Sequence, residues 1–147
     1  ERIPAMLPVR DFDEERFVFM ATAGGTVKKT PLAAFSRPRA TGIIAIDLEA
    51  EDRLVGVGLT DGSREILLAT TDGKAIRFAE EGVRPMGREA AGVRGVRLGD
   101  GQRVASALVV GDGLVLTVSR NGYGKLTDVA EFPRHGRGGQ GVIALQT

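Results

Sequence analysis

Residues 24–42 read GGTVKKTPLAAFSRPRATG, a stretch with four basic side chains and no acidic one. A version of this stretch occurs three times in the chain, and each copy begins with a turn glycine and closes with a second glycine. The period is about 49 residues, which is typical of solenoids, propellers and arrays of one supersecondary unit. The paired glycines of the three copies are Gly25 and Gly42, Gly73 and Gly92, and Gly122 and Gly141.

The composition is that of an ordinary globular protein, with 147 residues, 42% hydrophobic and 27% charged. No apolar run approaches the roughly 20 residues of a membrane span, and the N-terminal residues lack the pattern of a signal peptide. The chain has no cysteine, which excludes disulfides and thiolate metal sites. These features favour a cytoplasmic protein without a membrane partner.

Each copy predicts four short β-strands, because runs of aliphatic and β-branched residues are bounded by Gly, Asp and Asn. The first strands are residues 3–9, 54–59 and 104–110; the second are 17–22, 66–70 and 114–118; the third are 27–30, 75–78 and 123–127; the fourth are 43–48, 93–98 and 142–145.

Turn chemistry predicts how these strands connect. The sequences AGG at 23–25, TDG at 71–73 and RNG at 120–122 predict tight type I′ hairpins between the second and third strands. The sequences DGS at 61–63 and GDG at 111–113 predict similar hairpins between the first and second strands. A long basic loop with prolines joins the third strand to the fourth, and a loop of that length is usually functional. Residues 32–35 and 79–84 are each predicted to form one short helical turn.

Four antiparallel strands in a unit of about 50 residues indicate a propeller-type blade, so the predicted class is all-β. We divide a single domain, residues 1–147, into unit 1 (about 2–50), unit 2 (about 52–101) and unit 3 (about 103–147). Three blades do not close a propeller ring. We therefore expect part of a larger domain, whose ends present surfaces that pack on neighbouring repeats.

Four segments resemble one known family. They are MATAGGTVKKTPLAAF, ILLATTDGKAIRF, VRPMGREAAGVRGVRL and NGYGKLTDVAEFP, which begin at residues 20, 66, 83 and 121. They are similar, in order, to successive blades of the C-terminal domain of DNA gyrase A, with the corresponding domain of topoisomerase IV a close second. The resemblance implies a β-pinwheel, in which neighbouring blades exchange a strand.

The resemblance also implies a function. The domain would be a non-catalytic part of an ATP-hydrolysing bacterial type II topoisomerase, and it would bind and wrap double-stranded DNA so that the enzyme introduces negative supercoils. Its partners would be DNA, the rest of gyrase A, and gyrase B in an A2B2 complex near the nucleoid. ATP and magnesium would be used elsewhere in that complex, so we expect no cofactor in this chain.

We identify candidate phosphate contacts from the positions of Lys and Arg in the repeat. DNA wrapping needs many Lys or Arg contacts spread along a convex surface. The alternative for each one taken singly is an ordinary solvated charge. The candidates are Lys28, Lys29, Arg37 and Arg39 in unit 1, Lys74, Arg77, Arg84, Arg88 and Arg94 in unit 2, and Lys125, Arg134 and Arg137 in unit 3.

One motif departs from the family pattern. The family carries a basic box, QRRGGKG, in its first blade, whereas residues 135–141 of this chain read HGRGGQG in the last unit. Arg137 and three glycines match, but Gly136 and Gln140 replace basic residues. We interpret this stretch as a degenerate copy that closes a blade turn, and we expect the intact box upstream of residue 1.

Catalytic and metal motifs are not found. Neither Gly-Lys pair is followed by Ser or Thr, so no P-loop is present, and the sole histidine has no metal-ligand spacing. Acidic pairs such as Glu80–Glu81 are expected to be solvated. A propeller fragment that binds proteins and not DNA is the alternative function, and the salt dependence of DNA affinity would separate the two.

Overall fold

The computed structural model describes residues 2–145, which form β-strands, three 3-10 helices and connecting loops. None of the helices in this range is long and apolar enough to span a membrane. The strands are β1 (Phe17–Thr22), β2 (Thr26–Pro31), β3 (Leu54–Thr60), β4 (Glu65–Thr70), β5 (Lys74–Ala79), β6 (Val93–Arg94), β7 (Val104–Val110), β8 (Leu114–Val118), β9 (Gly124–Asp128) and β10 (Val142–Ile143), and the helices are Leu32–Phe35, Glu80–Gly82 and Val129–Glu131.

Both complete sheets take strands from two units. The first has the order β3-β1-β2-β6 and the second has the order β10-β5-β4-β7, with antiparallel pairing throughout. Unit 1 supplies β1 and β2, and unit 2 supplies the edge strands β3 and β6. The second sheet repeats this pattern with units 2 and 3, so the exchange implied by the family resemblance is present in both sheets. The third sheet is the hairpin β8-β9.

The exchange of strands between units explains why some predicted strands are absent or shorter than predicted. Residues 3–9 and 43–48 were predicted as strands of unit 1, but neither segment is a strand. Their counterparts in units 2 and 3 pair with the sheet of the preceding unit, and the described residues contain no sheet on that side of unit 1. The predicted fourth strands of units 2 and 3 exist, but each is two residues long.

Turn geometry also departs from the prediction in two ways. The residues at 61–64 and 111–113 do not close hairpins, because β3 pairs with β1 and β7 pairs with β4. They are corners that carry the chain from one sheet to the next. The turns between β1 and β2 and between β4 and β5 are three-residue connections and not type I′ turns. In the first, Gly25 N donates to Thr22 O at 3.1 Å, and only Gly25 has a positive φ, at 91°. A type I turn followed by a left-handed glycine is the usual three-residue solution.

The sheets pack face to face through a continuous apolar core. Phe19 of the first sheet and Phe78 of the second lie with ring centroids 6.4 Å apart. The edge strands β3 and β7 approach even more closely, because Gly56 has no side chain. A Cβ there would lie 2.7 Å from the Cβ of Ala107. These strands therefore form the inner edge of the stack, and β6 and β10 form the outer edge.

Candidate nucleic-acid interface

The long loop of unit 2 lies along the outer edge of the first sheet. Met86 N donates to Lys29 O at 2.7 Å, and the loop then continues to Val93, which pairs with Val27. Arg84, Arg88 and Arg94 lie on this path. Because β6 is only two residues long, the loop itself forms most of the outer surface beside β2.

The loop of unit 3 repeats this course on the second sheet. His135 N donates to Arg77 O at 2.9 Å, and Val142 pairs with Ala75. Arg134 and Arg137 lie on this segment. The fold therefore places basic loop residues on the outer edges of consecutive sheets, and of these Arg88 and Arg137 occupy equivalent positions.

One arginine in each loop joins it to the preceding unit. The Arg88 guanidinium donates to Ile44 O at 2.9 Å, and the Arg137 guanidinium donates to Arg94 O at 3.1 Å. Arg137 also donates to Gly82 O at 2.9 Å, and Gly138 N donates to Gly95 O at 2.7 Å. The HGRGGQG segment thus packs along residues 94–97, where it closes the contact between units 2 and 3.

Four of the candidate arginines have no side-chain partner in the part of the chain that the structure describes. Arg37, Arg39, Arg84 and Arg94 are exposed, and within residues 2–145 none of them forms an ion pair. Arg134 is exposed, but it pairs with Glu65 at 3.1 Å. A guanidinium that faces water without a carboxylate partner is available to a phosphate group.

Lys74 and Lys125 lie on strands β5 and β9, away from the loops. Lys74 stands beside the unit 2 hairpin turn, and its ammonium lies 3.5 Å from the Asp72 carboxylate. That carboxyl accepts a hydrogen bond from the Thr70 hydroxyl, which lowers the pKa of Asp72 below its ordinary value. Lys125 is exposed on β9, opposite Thr117.

Lys28 is buried, which is contrary to its predicted place on an exposed surface. Its side chain is fully inaccessible, and its ammonium donates to Ala45 O at 2.7 Å and to Arg88 O at 2.5 Å. Burial lowers the pKa of this ammonium, and the nearby Arg88 lowers it further, whereas Asp47 opposes the shift. Lys28 therefore holds the backbone of two successive units in place and does not face solvent.

Lys29 is buried as well. Its ammonium lies 3.6 Å from the Glu80 carboxylate, donates to Glu80 O at 3.2 Å, and sits 4.8 Å above the Phe17 ring. Glu80, expected to be solvated, is completely buried, and it accepts from Gly62 N and Arg64 N. The burial of Lys29 is contrary to its predicted place on an exposed surface, and the prediction of a solvated Glu80 was wrong.

Arg77 is the unit 2 counterpart of Lys29, and it is also engaged. It is half-buried, bonds the Glu65 carboxylate at 2.7 Å, and donates to the carbonyls of Val129 and Phe132 at 3.0 and 2.9 Å. The sequence repeat contained a signal that Lys28 is buried, because Lys28 aligns with the apolar Ile76. Both residues belong to central strands. Both faces of these central strands are covered by neighbouring segments.

A cleft beside the unit 1 hairpin carries charges of both signs. It is lined by Asp47, Glu49 and Asp52 and by Arg94 and Arg97. Asp52 is committed to the backbone, since its carboxylate accepts from Gly24 N at 2.9 Å. Within residues 2–145, no cluster of three His, Cys, Asp or Glu side chains could hold a metal ion.

Antiparallel sheets that exchange edge strands between consecutive units, with arginine-bearing loops on the outer edge, define a propeller-like repeat domain. The chain belongs to the family described as the DNA gyrase C-terminal domain, beta-propeller, whose model matches residues 16–61, 64–111 and 113–147.

Relatives agree with this assignment. The A subunit of DNA gyrase from Pseudomonas aeruginosa is 57% identical over 89% of the chain and 14% of its own length. The same protein from Salmonella typhimurium is 53% identical over 99% of the chain and 17% of its own length. A crystal structure of the C-terminal domain of DNA topoisomerase IV superimposes with a TM-score of 0.88 at 32% identity, covering 93% of this chain and 43% of that one. The chain thus spans about a fifth or less of the length of the curated relatives it matches.

Proposed function

We propose that this chain is a non-catalytic DNA-binding and DNA-wrapping part of a DNA gyrase A protein. The observation that carries the proposal is the run of exposed arginines on the outer-edge loops. Arg84 lies on the loop beside the first sheet and Arg94 on the edge strand β6 that follows it. Arg134 and Arg137 lie on the loop beside the second sheet, and Arg37 and Arg39 belong to the corresponding loop of unit 1.

Such an edge suits a duplex that is bound without regard to sequence. Phosphate contacts fix the path of the duplex, whereas base edges would be needed to read its sequence. Bending DNA costs several kcal/mol, so wrapping requires contacts that recur along the arc. Loops repeated on consecutive sheets provide recurring contacts, and the bonds of Arg88 and Arg137 to the preceding unit hold those loops in register.

The wider reaction belongs to a larger assembly. In this proposal, the remainder of gyrase A together with gyrase B, as an A2B2 complex, hydrolyses ATP with magnesium and passes one DNA segment through another. This chain contributes no catalytic group and no cofactor site to that reaction. The complex acts on the bacterial nucleoid in the cytoplasm.

The corresponding part of topoisomerase IV is the second candidate. The observation that favours it is the close superposition on a topoisomerase IV domain, with a TM-score of 0.88. Sequence identity favours gyrase, because the matched gyrase proteins are 53 and 57% identical, whereas that domain is 32% identical. The exposed arginines serve DNA binding in either enzyme.

Fluorescence anisotropy with labelled duplexes of unrelated sequence tests the proposal. We expect similar affinities for each duplex, and a steep loss of affinity as salt rises. If about five phosphates are neutralised, log K should fall with log salt at a slope of about −4.5. A domain that binds only proteins would show no duplex binding at low salt, and that result would reject the proposal.

A further inference from the structure

The Arg137 guanidinium of unit 3 bridges two backbone carbonyls of unit 2. Its Nε donates to Gly82 O at 2.9 Å, and its Nη1 donates to Arg94 O at 3.1 Å. Gly82 ends a 3-10 helix, and Arg94 ends the edge strand β6. The two carbonyls therefore mark the two ends of the outer-edge loop of unit 2, and one planar side chain holds both of them.

The two ends of this loop carry exposed arginines. Arg84 follows Gly82 by two residues, and Arg94 itself supplies the second carbonyl. Neither arginine forms an ion pair within residues 2–145. The bridge therefore fixes the backbone beside both guanidinium groups, and a group that is fixed in advance loses less conformational entropy when it binds a ligand.

The middle of the same loop is held by unit 1. Met86 N donates to Lys29 O at 2.7 Å, and the Lys28 ammonium donates to Arg88 O at 2.5 Å. Unit 1 thus holds the middle of the loop, and Arg137 of unit 3 holds its ends. The outer surface of unit 2 is therefore shaped by three consecutive units.

The counterpart of Arg137 in unit 2 makes a simpler contact. This residue is Arg88, whose Nη1 donates to Ile44 O at 2.9 Å, and Ile44 occupies the repeat position of Arg94. Among residues 2–145, the Arg88 side chain donates to no second carbonyl. The bridge between two carbonyls is therefore found where the held residue is an arginine and not where it is an isoleucine.

The segment around Arg137 is held in place by backbone hydrogen bonds. Gly138 N donates to Gly95 O at 2.7 Å, and Arg97 N donates to Gly139 O at 2.8 Å. The Arg137 side chain is exposed, so a substitution there removes the bridge and leaves these two bonds. Such a substitution should loosen the loop of unit 2 without displacing the loop of unit 3.

We propose that Arg137 is a positioning residue for phosphate binding by the preceding unit. By holding the carbonyls of Gly82 and Arg94, it keeps the guanidinium groups of Arg84 and Arg94 in place for the phosphates of a duplex. This inference rests on the proposed DNA-binding function. It assigns to Arg137 an action through two other arginines and not a phosphate contact of its own, so units 2 and 3 bind DNA as a coupled pair.

Fluorescence anisotropy of the full 147-residue chain with a labelled duplex tests this inference through a double-mutant cycle. Arg137→Met removes both bonds of the bridge, and we expect about a tenfold loss of duplex affinity in the parent chain. In the Arg84→Ala, Arg94→Ala background the loss should be smaller by about threefold or more, because the groups that Arg137 positions are absent.

Arg120→Met provides the matched control, because it removes the same charge from an exposed position beside a hairpin turn. This variant should bind like the parent chain. Arg137→Gln keeps an amide donor for one of the two carbonyls, and its loss of affinity should be intermediate. Urea denaturation shows whether each variant is folded under the conditions of the binding measurement.

Equal losses of affinity from Arg137→Met in the two backgrounds would overturn the inference, because that is the result expected if Arg137 contacts a phosphate directly. An Arg137→Met variant that binds duplex like the parent chain would overturn it as well. Both results would leave the proposed DNA-binding function intact. A parent chain that binds no duplex would reject that function and this inference together.

Discussion

Lys29 and Arg77 occupy the same position in successive units, and both connect their own sheet to the next unit. Lys29 donates to the carbonyl of Glu80, and Arg77 donates to the carbonyl of Val129, which is the counterpart of Glu80. Only Lys29 also meets a fully buried carboxylate. The unit 3 counterpart is Leu126, which is exposed. An apolar side chain therefore takes the place of the cation in the last described unit.

Breaking the Lys29–Glu80 pair should destabilise the fold strongly. Lys29→Met leaves the Glu80 carboxylate buried without its cation, and the expected loss is about 3 to 5 kcal/mol in the free energy of unfolding. The double variant Lys29→Met, Glu80→Gln should lose much less, because Gln retains an acceptor for Gly62 N and Arg64 N. Urea denaturation of the parent, both single variants and the double variant measures the coupling.

If the losses in the free energy of unfolding are additive in this double-mutant cycle, the assignment of a buried ion pair is contradicted. The same variants report on DNA binding, since Lys29 makes no contact with solvent that a phosphate could use. Under conditions where each variant is folded, duplex affinity should match that of the parent chain.

At the scale of the elements, the sequence predicted the central hairpins but not their partners. The strands 17–22, 114–118, 104–110 and 54–59 were predicted at nearly their observed bounds, because alternating apolar runs and turn glycines are local signals. The pairing of β3 with β1 depends on contacts between units, and no local signal distinguishes a corner from a hairpin at 61–64. The short turns predicted at 32–35 and 79–84 are present as the helices at 32–35 and 80–82, whereas Val129–Glu131 was not predicted.

Close packing of β3 against β7 leads to a prediction for Gly56. The Gly56→Ala variant would place a Cβ 2.7 Å from that of Ala107 and 3.1 Å from its carbonyl oxygen. Both neighbours are rigid, so overpacking should cost about 1 to 3 kcal/mol in the free energy of unfolding. Thermal or urea denaturation measures this cost.

Gly87→Ala provides the matched control, because nothing lies within 4 Å of its added Cβ. The control should unfold at nearly the same midpoint as the parent chain. Equal losses for the two variants would show that β3 and β7 do not pack as closely as described.

At the scale of the whole molecule, the repeat alone was enough to predict the all-β class and the exposed loops. The repeat did not predict which of the basic residues are exposed to solvent. Arg37, Arg39, Arg84 and Arg94 are exposed as expected, whereas Lys28 and Lys29 lie on the central strand β2, which is covered on both faces. Basic residues occur both at exposed loop positions and at buried positions of β2. Only the burial of both faces of β2 distinguishes the two kinds of position.

The most direct test of the central claim compares two sets of three arginines in duplex binding. Arg84 lies on the loop along the outer edge of the first sheet, and Arg37 and Arg39 are exposed on the corresponding loop of unit 1. Arg53, Arg103 and Arg120 are exposed beside the hairpin turns, where Ala23 N donates to Arg53 O and Thr71 N donates to Arg103 O. Replacing either set with alanine removes the same charge. We predict that the loop variant loses affinity for every duplex, and that its salt slope becomes shallower by about 3. The hairpin variant should retain the parent chain's slope of log K against log salt. An equal loss of duplex affinity in both variants would contradict a DNA path along the outer edge.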